Sequence, residues 1–377
     1  MVATLSACSF MRVKDALGGY RGNAALPTES GHAPHLEGRF ANPQPIPEMP
    51  FGKKMAILAK FMFGKKINTV PSAPLPSLPL DAASFSAPVT ESYRVTWIGH
   101  STTLIEIDGL KILTDPVFGE RASPFESIGP KRFQPAAITI AELPHLDAVV
   151  ISHDHYDHLD MESIRALKEK TNLFVMPLDV GTHLRHWGIE AEKIIELDWW
   201  DETLVAGRLR LIATPARHFS GRGMSDKNKT LWASWVIASQ SHTLFFSGDT
   251  GMQDAFLEIG QRFGPFDLAM IENGAYDPAW PNVHMSPEET VEAAVMLGAQ
   301  RLMPIHWGTF DLANHPWHEP ADRVQALAAI RNMPLAHPRQ GESVGTNLPW
   351  PVARWWQIPV DRIADIEPVP ATQEAGS

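Results

Sequence analysis

The sequence predicts an α/β protein, two sheets covered by helices, with one loop-rich edge. Two observations point there. From residue 93 to about 332, short apolar runs suited to strands alternate with stretches of helical period. Histidines and carboxylates gather directly after those runs, most densely in His153-Asp154-His155-Tyr156-Asp157-His158.

The elements follow in order. Strands are expected at Val95–Ile98, Thr102–Ile107 and Leu110–Thr114, and at Ala148–Ser152, which runs into the histidine cluster. A helix over about Met161–Lys170 comes next, then strands near Leu173–Val175, Leu209–Ala213, Ala233–Ala238 and Thr243–Ser247. The last part alternates the strand Leu268–Ile271, a helix over Pro287–Leu297, the strand Arg301–Ile305 and a helix near Ala321–Asn332. The chain thus divides into a Pro- and Gly-rich lead segment, 1–88, a main domain, 89–345, and a tail, 346–377, expected to wrap the surface.

With 377 residues, 44% of them hydrophobic, the chain can bury one large core or two modest ones. A formal net charge of −11 argues against nucleic acid as the main partner, because duplex binding relies on cations meeting phosphates. The charge is uneven. Residues 1–88 hold nine Lys or Arg against five Asp or Glu, a net of +4, which leaves −15 for the remainder.

No run of about 18 apolar residues is present, so no membrane-spanning helix is expected. Leu5-Ser6-Ala7-Cys8 resembles a bacterial lipobox, although only Met1 to Thr4 precede it. A lipidated Cys8 would place the protein at the bacterial cell envelope; otherwise the expectation is cytoplasmic. As the single cysteine, Cys8 also excludes an internal disulfide and a thiolate metal site. In Pro50–Lys66, Met55, Leu58, Phe61 and Met62 recur at helical spacing among Lys53, Lys54, Lys60, Lys65 and Lys66. That pattern suits a short helix at a membrane surface, or one packed on the main domain with solvated lysines.

The histidine cluster is metal-ligand chemistry. Neutral imidazoles and carboxylates bind zinc and similar divalent ions, and His153 and His155, alternating at a strand exit, can aim two rings at one ion. Asp157 and His158 follow at once and can reach a second ion, as paired-metal hydrolases require. Two metals need further ligands, and three candidates leave other strands: His218 in Thr214-Pro215-Ala216-Arg217-His218, Asp249 in Phe246-Ser247-Gly248-Asp249-Thr250, and His306 in Pro304-Ile305-His306-Trp307-Gly308. Gly248 permits a sharp turn, and the Asp249 carboxylate can bridge both ions.

This order of motifs, HxHxDH, then His, Asp and His, resembles the metallo-β-lactamase superfamily. The resemblance implies a four-layer αβ/βα sandwich with a catalytic domain holding two zinc ions, or other divalent metals, at one edge of the sheets. It would put one metal on His153, His155 and His218 and the other on Asp157, His158 and His306, with Asp249 between them. Asp115, in Leu113-Thr114-Asp115-Pro116, matches an acid that supports such a site from behind.

Other stretches are similar to the branch containing N-acylphosphatidylethanolamine-hydrolysing phospholipase D. They are Gly38-Arg39-Phe40-Ala41-Asn42-Pro43, Trp97-Ile98-Gly99-His100-Ser101-Thr102, Gly129-Pro130-Lys131-Arg132-Phe133, Ser152-His153-Asp154-His155-Tyr156-Asp157-His158-Leu159-Asp160, Gly274-Ala275-Tyr276 and His306-Trp307-Gly308-Thr309-Phe310. The branch implies a phosphodiesterase acting on a phospholipid, with peripheral membrane contact, and a catalytic pair in Asp157 and in His284, whose counterpart faces the reacting phosphate. His284 also has a plainer reading as helix-lead sequence before Ser286 as a cap. His100 either contacts the site or braces its loop; His315 and His318 are expected at the surface or rim, and His183, His186 and His242 have no assigned role. Two rival functions remain open, a lactonase or other ester hydrolase using the same metals and a metal-binding scaffold without turnover. Neither the oligomeric state nor the physiological substrate is legible.

Overall fold

A computed structural model describes residues 11–19, 31–47, 49–64, 66–89, 92–351 and 353–357. Cys8 lies outside the described residues. A helical segment over residues 11–16 is followed by a small hairpin, β1 (His35–Leu36) and β2 (Arg39–Phe40), and by helix α1 (Phe51–Phe63). The first sheet's strands are β3 (Tyr93–Gly99), β4 (Thr102–Ile107), β5 (Leu110–Thr114), β6 (Leu146–Val150), β7 (Thr171–Pro177) and β8 (Ile194–Leu197), with helices α2 (Met161–Leu167) and α3 (Gly181–His186) between them. The second sheet takes β9 (Glu202–Val205), β10 (Leu209–Thr214), β11 (Ser234–Ala238), β12 (Thr243–Phe246), β13 (Leu268–Glu272) and β14 (Leu302–Ile305). Helices α4 (Ala255–Phe263), α5 (Pro287–Met296) and α6 (Glu319–Ile330) accompany it, and β15 (Ser343–Gly345) returns to the first sheet.

The seven-stranded sheet runs β15-β3-β4-β5-β6-β7-β8 and the six-stranded sheet β14-β13-β12-β11-β10-β9. Period-two alternation explains how they stack. Leu211 and Ala213 of β10 face the same inter-sheet core as Val95, Ile105, Ile112 and Val150 of the first sheet, whereas Ile212 faces the opposite way, against helices α4 to α6 with Phe256, Val291 and Val324. On the other side, Leu104, Leu113 and Val149 pack against Ile164 and Leu167 of α2 and Leu184 of α3. The result is helix, sheet, sheet, helix, the expected four-layer sandwich. Strands such as β11 and β13 are buried on both faces, which is why their sequences read as continuous apolar runs.

Several elements went beyond the sequence expectation. Strands β8 and β9, helices α3 and α4 and the short β15 were not anticipated; β9 is half-exposed and carries Glu202, which blurs its apolar pattern. In the described part of the tail, Trp355 and Trp356 are buried against Trp307, and Trp355 also reaches Trp97, so these two side chains join the core. The lead segment is tied down by specific bonds: Asp198 accepts from the backbone N–H of His32 and Ala33, and the Asn42 side chain both donates to His218 O and accepts from His218 N–H. Helix α1 leaves Phe51 and Met55 exposed. No helix among the described residues is long and apolar enough to cross a membrane.

Candidate metal centre

Strand ends build the site. Strand β6 stops at Val150, and Ser152 turns the chain by donating its N–H and its hydroxyl to the two oxygens of Asp115, at 2.7 and 2.6 Å. Asp115 itself follows β5 in a left-handed conformation (φ 33°). The same carboxylate accepts from His158 Nδ1–H at 2.6 Å, which fixes that ring's tautomer and leaves Nε2 facing the site. His218, beyond β10, is oriented in the same manner: Nδ1–H donates to Val283 O at 2.8 Å, so Nε2 turns inward. Asp249 follows β12 after Gly248 (φ 54°), where a Cβ would stand 2.4 Å from that of Ser152. His306 follows β14 with φ 64°.

The sequence-predicted residues converge. His155 Nδ1 lies 2.9 Å from His153 Nε2 and 3.2 Å from His218 Nε2. A second group forms around Asp157 Oδ2, which is 3.3 Å from His306 Nε2 and 3.5 Å from His158 Nε2. Asp249 Oδ2 touches both groups: it is 3.1 Å from His158 Nε2 and 3.2 Å from His306 Nε2, and 3.8 Å from the Nε2 atoms of both His153 and His218. His284 borders the centre, its ring centroid 5.2 Å from that of His218 and 5.1 Å from that of His306.

This donor set fits divalent metal. Imidazole nitrogens pressed together at these distances, with Asp249 Oδ1 buried and without a hydrogen-bond partner, lack any internal way to satisfy all their lone pairs. Burial holds His153 and His218 well below the ordinary histidine range, and pushes His100 down to about 3 and His284 down to about 4, so these rings are neutral near pH 7, as ligation and hydrogen bonding need. Burial works against ionisation of Asp249, yet His158 and His306 outweigh it and hold the carboxyl well below its usual range.

His100 does contact the site: its Nε2–H donates to Asp157 Oδ2 at 3.1 Å. His315 is half-buried and stacks on Tyr276 at 4.4 Å, and His318 pairs with Asp322 at 2.7 Å, both away from the ring of donors. His186 and His242 pair with Asp15 and Asp267 elsewhere. His183 supports the cluster from beneath, donating to Asp154 Oδ2 at 3.2 Å.

Three residues were missed. Asp154, between the two leading histidines, turns inward and accepts from Gly221 N–H, Thr230 Oγ1 and His183. Arg222, also buried, donates to Asp154 O and Leu159 O, bracing both ends of the loop. Glu272 ends β13 fully buried, 2.8 Å from His284 Nδ1. Glu272 could have been found, because it is an acid closing an apolar strand, as Asp115 and Asp249 are.

A family model for the beta-lactamase superfamily domain matches residues 111–307, spanning β5, the histidine cluster and His306. The chain belongs to that superfamily. It is an enzyme, a metal-dependent hydrolase of the metallo-β-lactamase fold. An uncharacterized protein of Mycobacterium tuberculosis is 45% identical over 293 residues, covering 76% of this chain and 78% of that one. The N-acyl-phosphatidylethanolamine-hydrolyzing phospholipase D 1 of Caenorhabditis elegans is 38% identical over 251 residues, 63% of this chain and 70% of the relative. A metallo hydrolase of Ignicoccus hospitalis, 20% identical, superposes with a TM-score of 0.53 over 68% of this chain and 99% of its own, which speaks to the fold.

Proposed function

We propose that this hydrolase is a binuclear zinc phosphodiesterase of phospholipase D type, acting on N-acylphosphatidylethanolamine or a related phospholipid. The observation that carries the two-metal reading is Asp249 Oδ2, within 4 Å of ring nitrogens from both groups, a position suited to a bridging ligand. His153, His155 and His218 would hold one ion, and Asp157, His158 and His306 the other. When bound, zinc supplies a hydrolytic nucleophile near neutral pH and offsets charge on the phosphoryl oxygens. The chain's own part is orientation. Asp115 and Val283 O fix the His158 and His218 rings, His100 holds the Asp157 carboxylate, and His284 is placed at the border to contact a phosphoryl oxygen. Likeness to the nematode phospholipase supports the substrate class. Exposed Phe51 and Met55 on α1, in a lead segment of net positive charge, support peripheral contact with a lipid surface; lipidation of Cys8 would add an anchor at the cell envelope. The catalytic domain would span 89–345, with the lead segment and tail clasping it.

Hydrolysis of N-acylphosphatidylethanolamine vesicles in ¹⁸O-water tests the reaction class. Attack at phosphorus puts the label in phosphatidic acid, read by mass spectrometry. Release of fatty acid carrying the label, or turnover of lactones alone, would replace this reading with carboxyl-ester or lactone chemistry at the same centre.

A further inference from the structure

Glu272 has no part in the metal groups described above, yet it is wholly buried beside them and most of its polar atoms are engaged. Its Oε1 accepts from Met285 N–H at 2.9 Å and from Thr250 N–H at 3.2 Å; its Oε2 accepts from His284 Nδ1–H at 2.8 Å. The backbone on either side is equally fixed, with Glu272 N–H donating to Ser247 Oγ and Glu272 O accepting from Thr290 Oγ1. One carboxylate therefore joins the turn that carries Asp249 to the segment that carries His284.

The geometry points to Glu272 as a positioning residue of the reaction, holding the His284 ring by Nδ1 so that Nε2 is the nitrogen presented to the substrate. This rests on the proposed role of His284 at the phosphoryl oxygen. His284 keeps 13% of its side chain exposed, against 2% for Asp249 and none for Glu272, so the ring stands on the open side of the centre with its acidic support behind it. An imidazole held at one nitrogen by a buried acid side chain cannot rotate without breaking that hydrogen bond and stranding both buried partners, and such supports are worth about 10- to 100-fold in activity where they orient a functional histidine. Glu272 would act through His284, 2.8 Å away at Nδ1, and not by bonding His306, whose Nδ1 lies 3.9 Å from Glu272 Oε2, beyond hydrogen-bond reach.

The test compares Glu272→Gln, which keeps the shape and an acceptor for the two backbone N–H groups, with Glu272→Ala, each alone and combined with His284→Ala, in zinc-loaded protein. Three quantities are read: bound zinc per chain, the kcat and KM of phosphodiester hydrolysis, and the histidine Nδ1–H resonance of His284 in ¹⁵N-histidine-labelled protein. We expect zinc content unchanged and kcat lowered about 10- to 100-fold by Glu272→Gln with KM altered much less. In the His284→Ala background the same change should lower kcat less than about twofold, because the partner is gone. The His284 Nδ1–H resonance should be lost or strongly displaced in Glu272→Ala. Zinc loss in Glu272→Gln, an equal fall in kcat with and without His284, or an unmoved resonance would each overturn the assignment. If the unmodified enzyme fails to hydrolyse phosphodiesters, the proposed function fails, while the resonance still decides whether Glu272 holds His284.

Discussion

Asp249→Ala should empty the metal centre and lower kcat/KM for the proposed phosphodiester substrate by more than about 1000-fold, beyond the usual cost of losing one electrostatic stabiliser. The reason is positional. Among the described residues, Asp249 is the carboxylate whose single oxygen approaches His158 and His306 at 3.1 and 3.2 Å and His153 and His218 at 3.8 Å, so on the proposed two-metal reading both halves of the centre would lose a shared ligand at once. Asp157→Ala should act in the same direction but less symmetrically, because Asp157 Oδ2 reaches His100, His158 and His306 and not the His153 group. Metal analysis of the purified variants beside initial rates checks this. Asp249→Asn, nearly isosteric, separates ligand loss from misfolding: it should retain a cooperative thermal transition while losing metal. Full metal content and normal turnover in Asp249→Ala would remove the bridging role.

Arg222→Met destabilises the protein by about 3 to 5 kcal/mol and lowers its metal affinity, although Arg222 would ligate nothing. The guanidinium is buried, with the Tyr156 ring 4.1 Å from its central carbon, and it donates to Asp154 O, Leu159 O and Ala16 O. Those carbonyls lie at both ends of the 154–159 loop and at the end of the N-terminal helical segment. Removing the cation strands three buried acceptors, each costing about 1 to 3 kcal/mol, while the apolar stem is kept. For a chain of 377 residues the melting temperature should fall by about 4 to 6 °C. His155, Asp157 and His158 ride on the freed loop, so on the proposed reading bound metal should dissociate at lower chelator concentration. Arg222→Lys should recover little, since the ammonium donates from a single nitrogen, whereas the guanidinium reaches its three carbonyls from Nε, Nη1 and Nη2 spread across a plane. A fall in melting temperature below about 2 °C would show that the loop is braced elsewhere.

Much of this architecture was legible because His153, His218, Asp249 and His306 sit one to four positions past an apolar strand, a pattern that survives in one dimension. His153, His218, Asp249 and His306 all leave strands that the sequence marks plainly, and the sheets deliver them to one edge. What escaped was support that comes from across the fold. Glu272 closes a strand with the same signal as Asp249, but its partner His284 is 12 residues away and meets it only when helix α5 packs against β13. Arg222 lies in a Gly-rich loop whose composition signals nothing, and its value comes from Ala16, 206 positions away. Strand β9 and helix α3 were missed because a half-exposed strand with acidic residues and a one-and-a-half-turn helix give weak periodicity. The burial of Trp355 and Trp356 was hidden by the prolines around them, which suggested a surface tail.

Titrating metal-stripped protein with zinc, while following phosphatidic acid release from N-acylphosphatidylethanolamine vesicles, bears most directly on the binuclear phosphodiesterase. Activity should be absent without metal and should rise to a plateau at two zinc ions per chain, with a generic phosphodiester cleaved more slowly and a lactone scarcely at all. Full turnover without metal, a plateau at one ion, or two bound ions with lactone as the only substrate hydrolysed would contradict it.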